Sequence, residues 1–578
     1  MRRVLTLPLV VASIALLLAV SGVAVGGVAA NGVALDSGPT GTGDAAYSTT
    51  ADECEVGDGT ELVGCWNGVH YAEDPGFNQS DGLTEDELER LTHLSMARVE
   101  HLRERPFRAD VPVETVTRSE FADERAGGSD DDEAFQRWND QVWKALFVVG
   151  EDDASGDAID AVFGGAVSGF YSPADQRVVL VVDEDETLQV SELTLVHEVA
   201  HAMQDQYHDL GNPRYVGDTQ DADLAVDGIV EGEVVYLEER YDERCEANWT
   251  CLDEPDAGDG AGELPENFNF GILQTVLQPY SDGVPYVAEL VDEDGWDAVN
   301  ATMNEPPETT SEVIHRTPEY ETREVEFEDT ATGGWETYDD QGIDGAETAG
   351  EASMFVMFWY QSFEYDHPVL DPDASVAENV RIHTQPDTEL RTRAAYNYAH
   401  EATDGWAGDE LYPYWNDGDG DDARDGYVWV TEWQTPDDAA QFHETYLRML
   451  TAHGDDEYEP GEVYAVNDGD FRGAYGVERE NTTVTIAHAP EPSDVLELRP
   501  DADFSVPATD DEENGDETDA TDGPTDGPTD GGTDADETDA DDATDPADTS
   551  GEAPGFGVAA ALVGLLAAVA LLVRRSRS

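Results

Sequence analysis

Apolar positions recur every three or four residues from 83 to 105 and again from 135 to 149, so both stretches are expected to be amphipathic helices. Between them, residues 111–117 alternate apolar and polar like a strand with one face on a core. Residues 162–171 and 177–182 are β-rich runs separated by Ser172-Pro173-Ala174-Asp175, a turn signal, and together they read as a hairpin. Directly after it, residues 193–210 return to a helical period, and 223–236 do so again. Further on, strands are expected at 410–414, 427–433, 463–466, 473–479 and 482–488, with one helix at 437–450. The pattern predicts an α+β fold in which a strand pair feeds a long helix and a smaller α+β unit follows.

The ends of the chain carry other patterns. Residues 1–30 open with Arg2 and Arg3, run through an uncharged apolar stretch and close on Val28-Ala29-Ala30, the layout of an export signal. The paired arginines also permit twin-arginine export. Residues 507–552 collapse to Asp, Thr, Gly, Pro, Glu and Ala with no apolar period, a composition that cannot fold alone and reads as a stalk. Residues 556–573 are then continuously apolar, enough helix for about 27 Å of hydrocarbon, and Arg574, Arg575 and Arg577 follow. Stalk, Pro554-Gly555-Phe556, apolar helix and basic tail, in that order, resemble the PGF-type C-terminal sorting signal of haloarchaeal surface proteins. The resemblance implies that an archaeosortase-type enzyme removes the helix and that a lipid replaces it, holding the protein on the extracellular face of the cell membrane. The chain thus divides into an export signal (1–30), an N-terminal extension with a local disulfide (31–82), a catalytic domain (83–376), a small α+β domain (377–506), the stalk (507–552) and the sorting signal with its transmembrane helix (553–578).

Charge adds the setting. Against 28 Lys and Arg stand 131 Asp and Glu, a formal charge of -103, and Lys144 is the sole lysine. Near 1 M salt the Debye length falls to about 3 Å and the self-repulsion is screened, so the acidity reads as adaptation to high salt. Because it runs through the whole chain, it argues against nucleic acid as a partner. The four cysteines fall as two close pairs, Cys54 with Cys65 and Cys245 with Cys251, which favours local disulfides outside the cytosol. None shows the CxxC spacing of a cysteine zinc site. Asn78, Asn248, Asn300 and Asn481 each open an Asn-x-Ser/Thr sequon, compatible with glycosylation.

The chemistry concentrates in His197-Glu198-Val199-Ala200-His201. At about 100° per residue the two histidines lie about 40° apart on the helix surface, one turn separated, so two imidazoles can grip one ion. Zinc suits them, because it takes nitrogen and oxygen ligands tetrahedrally and keeps a position open for water. Glu198 is placed to act as general base. The same face carries Gln204, Asp205 and His208, a polar stripe where an apolar one is usual.

Gln204 and Tyr207 stand where the pattern HExxHxxGxxH requires Gly and His, which excludes a third histidine at that spacing. A later carboxylate is then expected, and Glu231, thirty residues beyond His201 (231 minus 201), is the candidate third ligand. Asp227 is expected to share its face, and Glu233, about 200° round the helix, to point elsewhere. The arrangement resembles the gluzincin branch of zinc peptidases, in which a second helix supplies a glutamate. More narrowly, residues 197–210 with Asp223-Leu224-Ala225 and Val230-Glu231-Gly232 are similar to a set of secreted prokaryotic proteins with an HExxHAxQDQ helix and a downstream EG motif, known mainly as predicted peptidases. The chain lacks the Asn-Glu-x-x-x-Asp signature of the best-known gluzincins.

The resemblance implies a zincin-like core, with the active-site helix after a β-hairpin and residues 164–171 as an edge strand that pairs with extended substrate. A donor to the tetrahedral oxyanion is also expected, with His315, Tyr171 and Tyr207 as candidates. His315 is preferred because it lies in a loop between Pro306-Pro307 and Pro318, and loops carry function. The function these readings imply is an exported zinc endopeptidase acting on protein or peptide substrates. The alternatives are a non-catalytic surface protein that keeps the fold, or a zinc hydrolase of a non-protein amide.

Overall fold

Thr84 starts the first long helix through a capping box. Its hydroxyl accepts from the Glu87 N–H while the Glu87 carboxylate accepts from the Thr84 N–H. The structure is a computed structural model that describes Cys54 and residues 62–505 apart from 122–132, 165–167, 183–186, 254, 256–264, 266, 318–319, 382–395, 418–422, 455–460 and 503. The export signal, the stalk, the sorting signal and most of the N-terminal extension lie outside the described residues. Among the described residues no helix is long and apolar enough to cross a membrane.

The architecture is mixed α+β. A small hairpin, β1 (Cys65–Trp66) and β2 (Val69–His70), precedes α1 (Glu85–Arg103), β3 (Val113–Thr117), α2 (Glu133–Ala145) and α3 (Ser155–Gly164). Then come β4 (Gly169–Ser172), β5 (Arg177–Val182), α4 (Glu192–His208), α5 (Gln220–Ala247), α6 (Phe270–Val276), α7 (Gln278–Asp294), α8 (Trp296–Asn304) and α9 (Thr310–Ile314). The remainder is β6 (Glu336–Thr337), α10 (Gly350–Glu364), α11 (Val376–Arg381), β7 (Trp406–Asn416), β8 (Arg424–Trp433), α12 (Pro436–His453), β9 (Tyr464–Val466), β10 (Gly473–Glu480), β11 (Thr483–Ala489) and α13 (Pro492–Leu498). Cys54–Cys65 and Cys245–Cys251 are both disulfide-bonded.

Two sheets organise the chain. The first has the order β3-β5-β4, with β3 parallel and β4 antiparallel to β5. The second is antiparallel throughout, in the order β6-β7-β8-β11-β10-β9. It shares an aromatic-rich core with α2, α10 and α12, including Trp138, Phe358, Trp429 and Phe442. Helix α10 is mostly apolar and is buried on every side, its buried polar residues including Glu351 and Gln361. One expectation fails: residues 162–164 close helix α3 rather than open a strand. Ala158, Ala161 and Val162 are buried at i, i+3 and i+4, so the apolar run follows a helical period.

The start of α4 is fixed by a buried knot. Arg98, fully buried on α1, donates to Glu192 in the first turn of α4 (2.8 Å) and to the Tyr241 hydroxyl on α5 (2.8 Å). Glu192 also accepts from the Leu252 N–H (2.6 Å). Breaking such a buried pair from one side costs about 3–5 kcal/mol, so it holds three helices in one register.

Helices α5 and α7 approach until their backbones touch. A Cβ on Gly232 would lie 2.5 Å from the Gly283 carbonyl oxygen, and one on Gly283 would lie 2.3 Å from the Gly228 carbonyl oxygen. Glycine is required on both sides of this crossing.

A formal charge of -103 makes this fold depend on screening. The protein is expected to lose its ordered circular-dichroism spectrum as salt falls from molar levels towards about 0.1 M, where the Debye length grows to about 10 Å. A salt series read at constant temperature checks this, and an unchanged spectrum in dilute buffer contradicts it.

Candidate metal centre

Helix α4 begins at Ser191, whose hydroxyl accepts from the Thr194 N–H, and ends at Asp209 in the left-handed region. Leu195, Val196 and Val199 lie in the core with apolar residues of α1 and β5, while His197 and His201 face Glu231 on α5. There the two histidines meet Glu231. His197 Nε2 and His201 Nε2 are 3.1 Å apart, and the Glu231 carboxylate lies 3.2 Å from the first and 3.4 Å from the second. All three side chains are buried, and their ligand atoms lie within 4.8 Å of one another.

These residues fit a tetrahedral metal ion. Bonds of 2.0–2.1 Å to nitrogen and oxygen imply about 3.3 Å between neighbouring ligand atoms, close to the 3.1 Å between the two Nε2 atoms and to the 3.2 Å and 3.4 Å from them to Glu231 Oε2 and Oε1. The Nδ1 atoms are engaged elsewhere, which leaves both Nε2 atoms for the ion. His197 Nδ1 faces Glu238 Oε2 at 3.4 Å and His201 Nδ1 faces Gln204 Oε1 at 2.9 Å. Such outer carboxylate and amide acceptors fix the tautomer and the ring plane of a metal-binding histidine.

The electrostatics agree with a cation site. Burial opposes charge on His197, but Glu231, Glu238 and Glu198 outweigh it and raise its pKa to about 10. For Glu231, burial raises the pKa, but His201 and His197 prevail and lower it to about 2. A metal must displace the His197 proton, so its affinity falls as pH falls.

Glu198 is fully buried one residue along, and neither carboxylate oxygen closes a hydrogen bond of good geometry. Burial raises its pKa to about 7 against the pull of His197 and His201, and the Tyr171 N–H faces it from β4. A carboxyl poised near neutrality, with only the Tyr171 N–H facing it, suits a group that must take a proton and return it.

Strand β4 is at the edge of its sheet. The Val181 N–H donates to the Ser168 carbonyl, so in the antiparallel pairing the N–H and C=O groups of Gly169 and Tyr171 point away from β5. Helix α4 packs against this strand.

The three candidates for an oxyanion donor are engaged elsewhere. The Tyr171 hydroxyl donates to Asp205 (2.7 Å) and the Tyr207 hydroxyl to the Pro106 carbonyl (2.6 Å). His315 is the C-cap of α9, and its Nε2 lies 3.0 Å from both Glu351 oxygens on α10. It is not brought to the His197–His201–Glu231 triangle. Glu233 points away from the triangle, as its angle on α5 implies, and there it is buried, ion-paired with Arg103 and bonded to Gln204 Nε2 (3.0 Å). Gln204 also donates to the Val230 carbonyl (2.9 Å), so the path Arg103–Glu233–Gln204–His201 braces the second histidine. The polar stripe on α4 is partly accounted for in this way, with Asp205 holding Tyr171 and the Leu210 N–H.

Tyr280, on α7, was not singled out from the sequence. Its ring stacks on His197 with centroids 6.4 Å apart and planes 14° apart. Its hydroxyl, on a residue 3% exposed, is directed at Glu231 with Glu198 and Asp227 nearby, and closes no hydrogen bond of good geometry. The close α5–α7 crossing at Gly232 and Gly283 is what brings this ring to the centre.

The brace predicts a measurable loss. Gln204→Leu removes the acceptor on His201 Nδ1 and is expected to weaken zinc binding by about 10–100-fold. Competition with a chromophoric chelator checks this; unchanged affinity would assign Gln204 to packing alone.

Comparison with known proteins adds an address. The profile of a family described as Domain of unknown function (DUF8575) matches residues 321–499, which cover α10 and the six-stranded sheet but not the metal centre. The PGF-CTERM motif matches residues 553–575. The chain therefore carries the sorting and anchoring signal of archaeal cell-surface proteins, implying processing by an archaeosortase and C-terminal lipid anchoring. No curated protein and no solved structure matches the chain.

Proposed function

We propose that this exported, surface-anchored protein is a zinc endopeptidase with a zincin-like core. The observation that supports the reading most is the cluster of His197, His201 and Glu231 beside a buried Glu198 whose oxygens close no hydrogen bond of good geometry. Zinc held there supplies Lewis acidity towards a carbonyl and a water that ionises near neutral pH. Glu198 takes the proton of the attacking water and passes it to the leaving amine. The Tyr280 hydroxyl donates to the oxyanion that develops on the carbonyl oxygen. The outward N–H and C=O of Gly169 and the outward C=O of Tyr171 offer an extended peptide one antiparallel strand partner, while the Tyr171 N–H faces Glu198, which sets the scissile bond alongside that carboxylate. The edge strand favours a peptide over a small amide, because only a peptide backbone uses its paired donors and acceptors.

The test is digestion of an unfolded protein substrate at molar salt, before and after chelation. Cleavage that stops with the chelator and returns with zinc supports the reading. Bound zinc without cleavage of any peptide would move the chain to hydrolysis of another amide.

A further inference from the structure

Asn78, Asn248, Asn300 and Asn481 each open an Asn-x-Ser/Thr sequon in a chain that carries a cell-surface sorting signal. The pattern alone does not rank them. The fold does, because a sugar is accepted by the carboxamide nitrogen, a poor nucleophile whose lone pair is shared with its carbonyl. A hydroxyl donating to Oδ1 stabilises the negative charge that gathers there as the Nδ2 proton departs. The acceptor must therefore be exposed, with its nitrogen unengaged and the hydroxyl two residues on within reach.

Asn78 meets these demands. It is exposed, and its Oδ1 accepts from the Ser80 hydroxyl at 2.6 Å and from the Ser80 N–H at 3.0 Å, an Asx turn that engages the oxygen and not the nitrogen. Gln79, between them, is buried and pins the turn to the start of α4. Its amide donates to the Val190 carbonyl (3.0 Å) and the Asp253 carbonyl (2.7 Å), and its Oε1 accepts from the Val190 N–H (2.9 Å). The arrangement is thus built into the folded surface.

Asn300 lies inside α8, where residues i and i+2 point about 200° apart, so the Thr302 hydroxyl is turned away from it. Thr302 donates to the Ala298 carbonyl (3.2 Å), and Asn300 Oδ1 accepts from Arg103 (2.7 Å), which also holds Glu233 in the brace behind His201. Asn481 is exposed at the turn between β10 and β11, but Thr483 pairs with Glu432 across the sheet and its hydroxyl donates to that carboxylate (2.5 Å). Asn248, the exposed C-cap of α5, shows neither the preparing bond nor an obstruction among the described residues, so the contrast lies among the other three.

We infer that Asn78 carries an N-linked glycan and that Asn300 and Asn481 do not. In the transfer, Asn78 Nδ2 bonds to the anomeric carbon of a sugar activated as a lipid phosphate ester. The bond from that carbon to the phosphate oxygen breaks, the phosphate leaves with the electron pair, and the Nδ2 proton passes to a base of the transferase. The inference rests on export to the cell surface and is independent of the peptidase reading.

The experiment uses the protein isolated from the cell envelope of its own organism. Cleavage at glutamate puts these three sequons on separate peptides, and fragmentation mass spectrometry locates any sugar on them. A glycan mass is expected on the Asn78 peptide, with the Asn300 and Asn481 peptides bare. Ser80→Ala is expected to abolish the mass shift although Asn78 remains, and Ser80→Thr to keep it. A bare Asn78 peptide, a glycan on Asn300 or Asn481, or a glycan that survives Ser80→Ala overturns the inference. Should Ser80→Ala fail to accumulate, the pattern on the unaltered protein decides by itself: modification that ignores the fold would mark Asn300 and Asn481 as readily as Asn78.

Discussion

Glu198→Gln is expected to leave zinc bound while peptide turnover falls by about 10²-fold or more. The change keeps the size of the side chain and removes only its capacity to take a proton. It touches none of the three atoms that converge on the metal position, so zinc content should match that of the unaltered protein. Replacing His197, His201 or Glu231 should behave differently and cost zinc and activity together, because each removes one corner of the triangle. Tyr280→Phe falls between these classes. It retains the ring on His197 and the metal, but lacks the donor, and is expected to lower kcat by about 10²–10³-fold. Zinc analysis and steady-state kinetics on one preparation of each variant separate the three roles. A fully active Glu198→Gln protein would remove the general-base mechanism.

Gly232→Ala is expected to destabilise the protein by about 2 kcal/mol and to depress activity by about 10²-fold. In an open helix the same change would stabilise by about 1 kcal/mol, because alanine is the better helix former. Here the new Cβ would sit 2.5 Å from the Gly283 carbonyl oxygen, a backbone atom that moves only if α7 moves with it. Overpacking of this kind costs about 3 kcal/mol and outweighs the propensity gain. Displacement of α7 also carries Tyr280 away from His197, and a 1 Å misplacement can cost about 10² in rate. Gly156→Ala is the control, since a Cβ there meets nothing within 4 Å. Denaturant unfolding at fixed molar salt, with kcat on the same samples, checks both. A Gly232→Ala protein as stable and active as the control would show that the crossing relaxes without cost.

What was legible in the sequence follows from how far apart its parts lie along the chain. The histidine pair and Glu198 sit within one helical turn, so periodicity and chemistry coincide in five residues. Glu231 could be reached through its spacing from His201 and the Val230-Glu231-Gly232 motif, which single it out among the acids that share its face of α5. Glu238 lies on that same face, seven residues on, and its spacing was a usable signal for the acceptor on His197. Glu233 faces away from the triangle as its angle implies, but its place in the brace on His201 was not legible, because α5 is enclosed by α1, α4 and α7 and partners on its far side come from distant segments.

Tyr280 gave no signal, since its role depends on a crossing of two helices through Gly228, Gly232 and Gly283 that no local pattern encodes. His315 looked functional as a lone histidine in a proline-flanked segment; in the fold it satisfies the buried Glu351 together with Ser311. The α+β character was readable from the change of period along the chain, whereas α10, buried on every side and apolar from Met354 to Tyr360, has no period to read.

The central claim is that one zinc ion is held by His197, His201 and Glu231 within reach of Glu198. Anomalous diffraction at the zinc edge, from crystals of the zinc-loaded protein grown at molar salt, tests it most directly. The account predicts one strong peak bonded to both Nε2 atoms and to the Glu231 carboxylate; no peak there, or a zinc held by other residues, would contradict it.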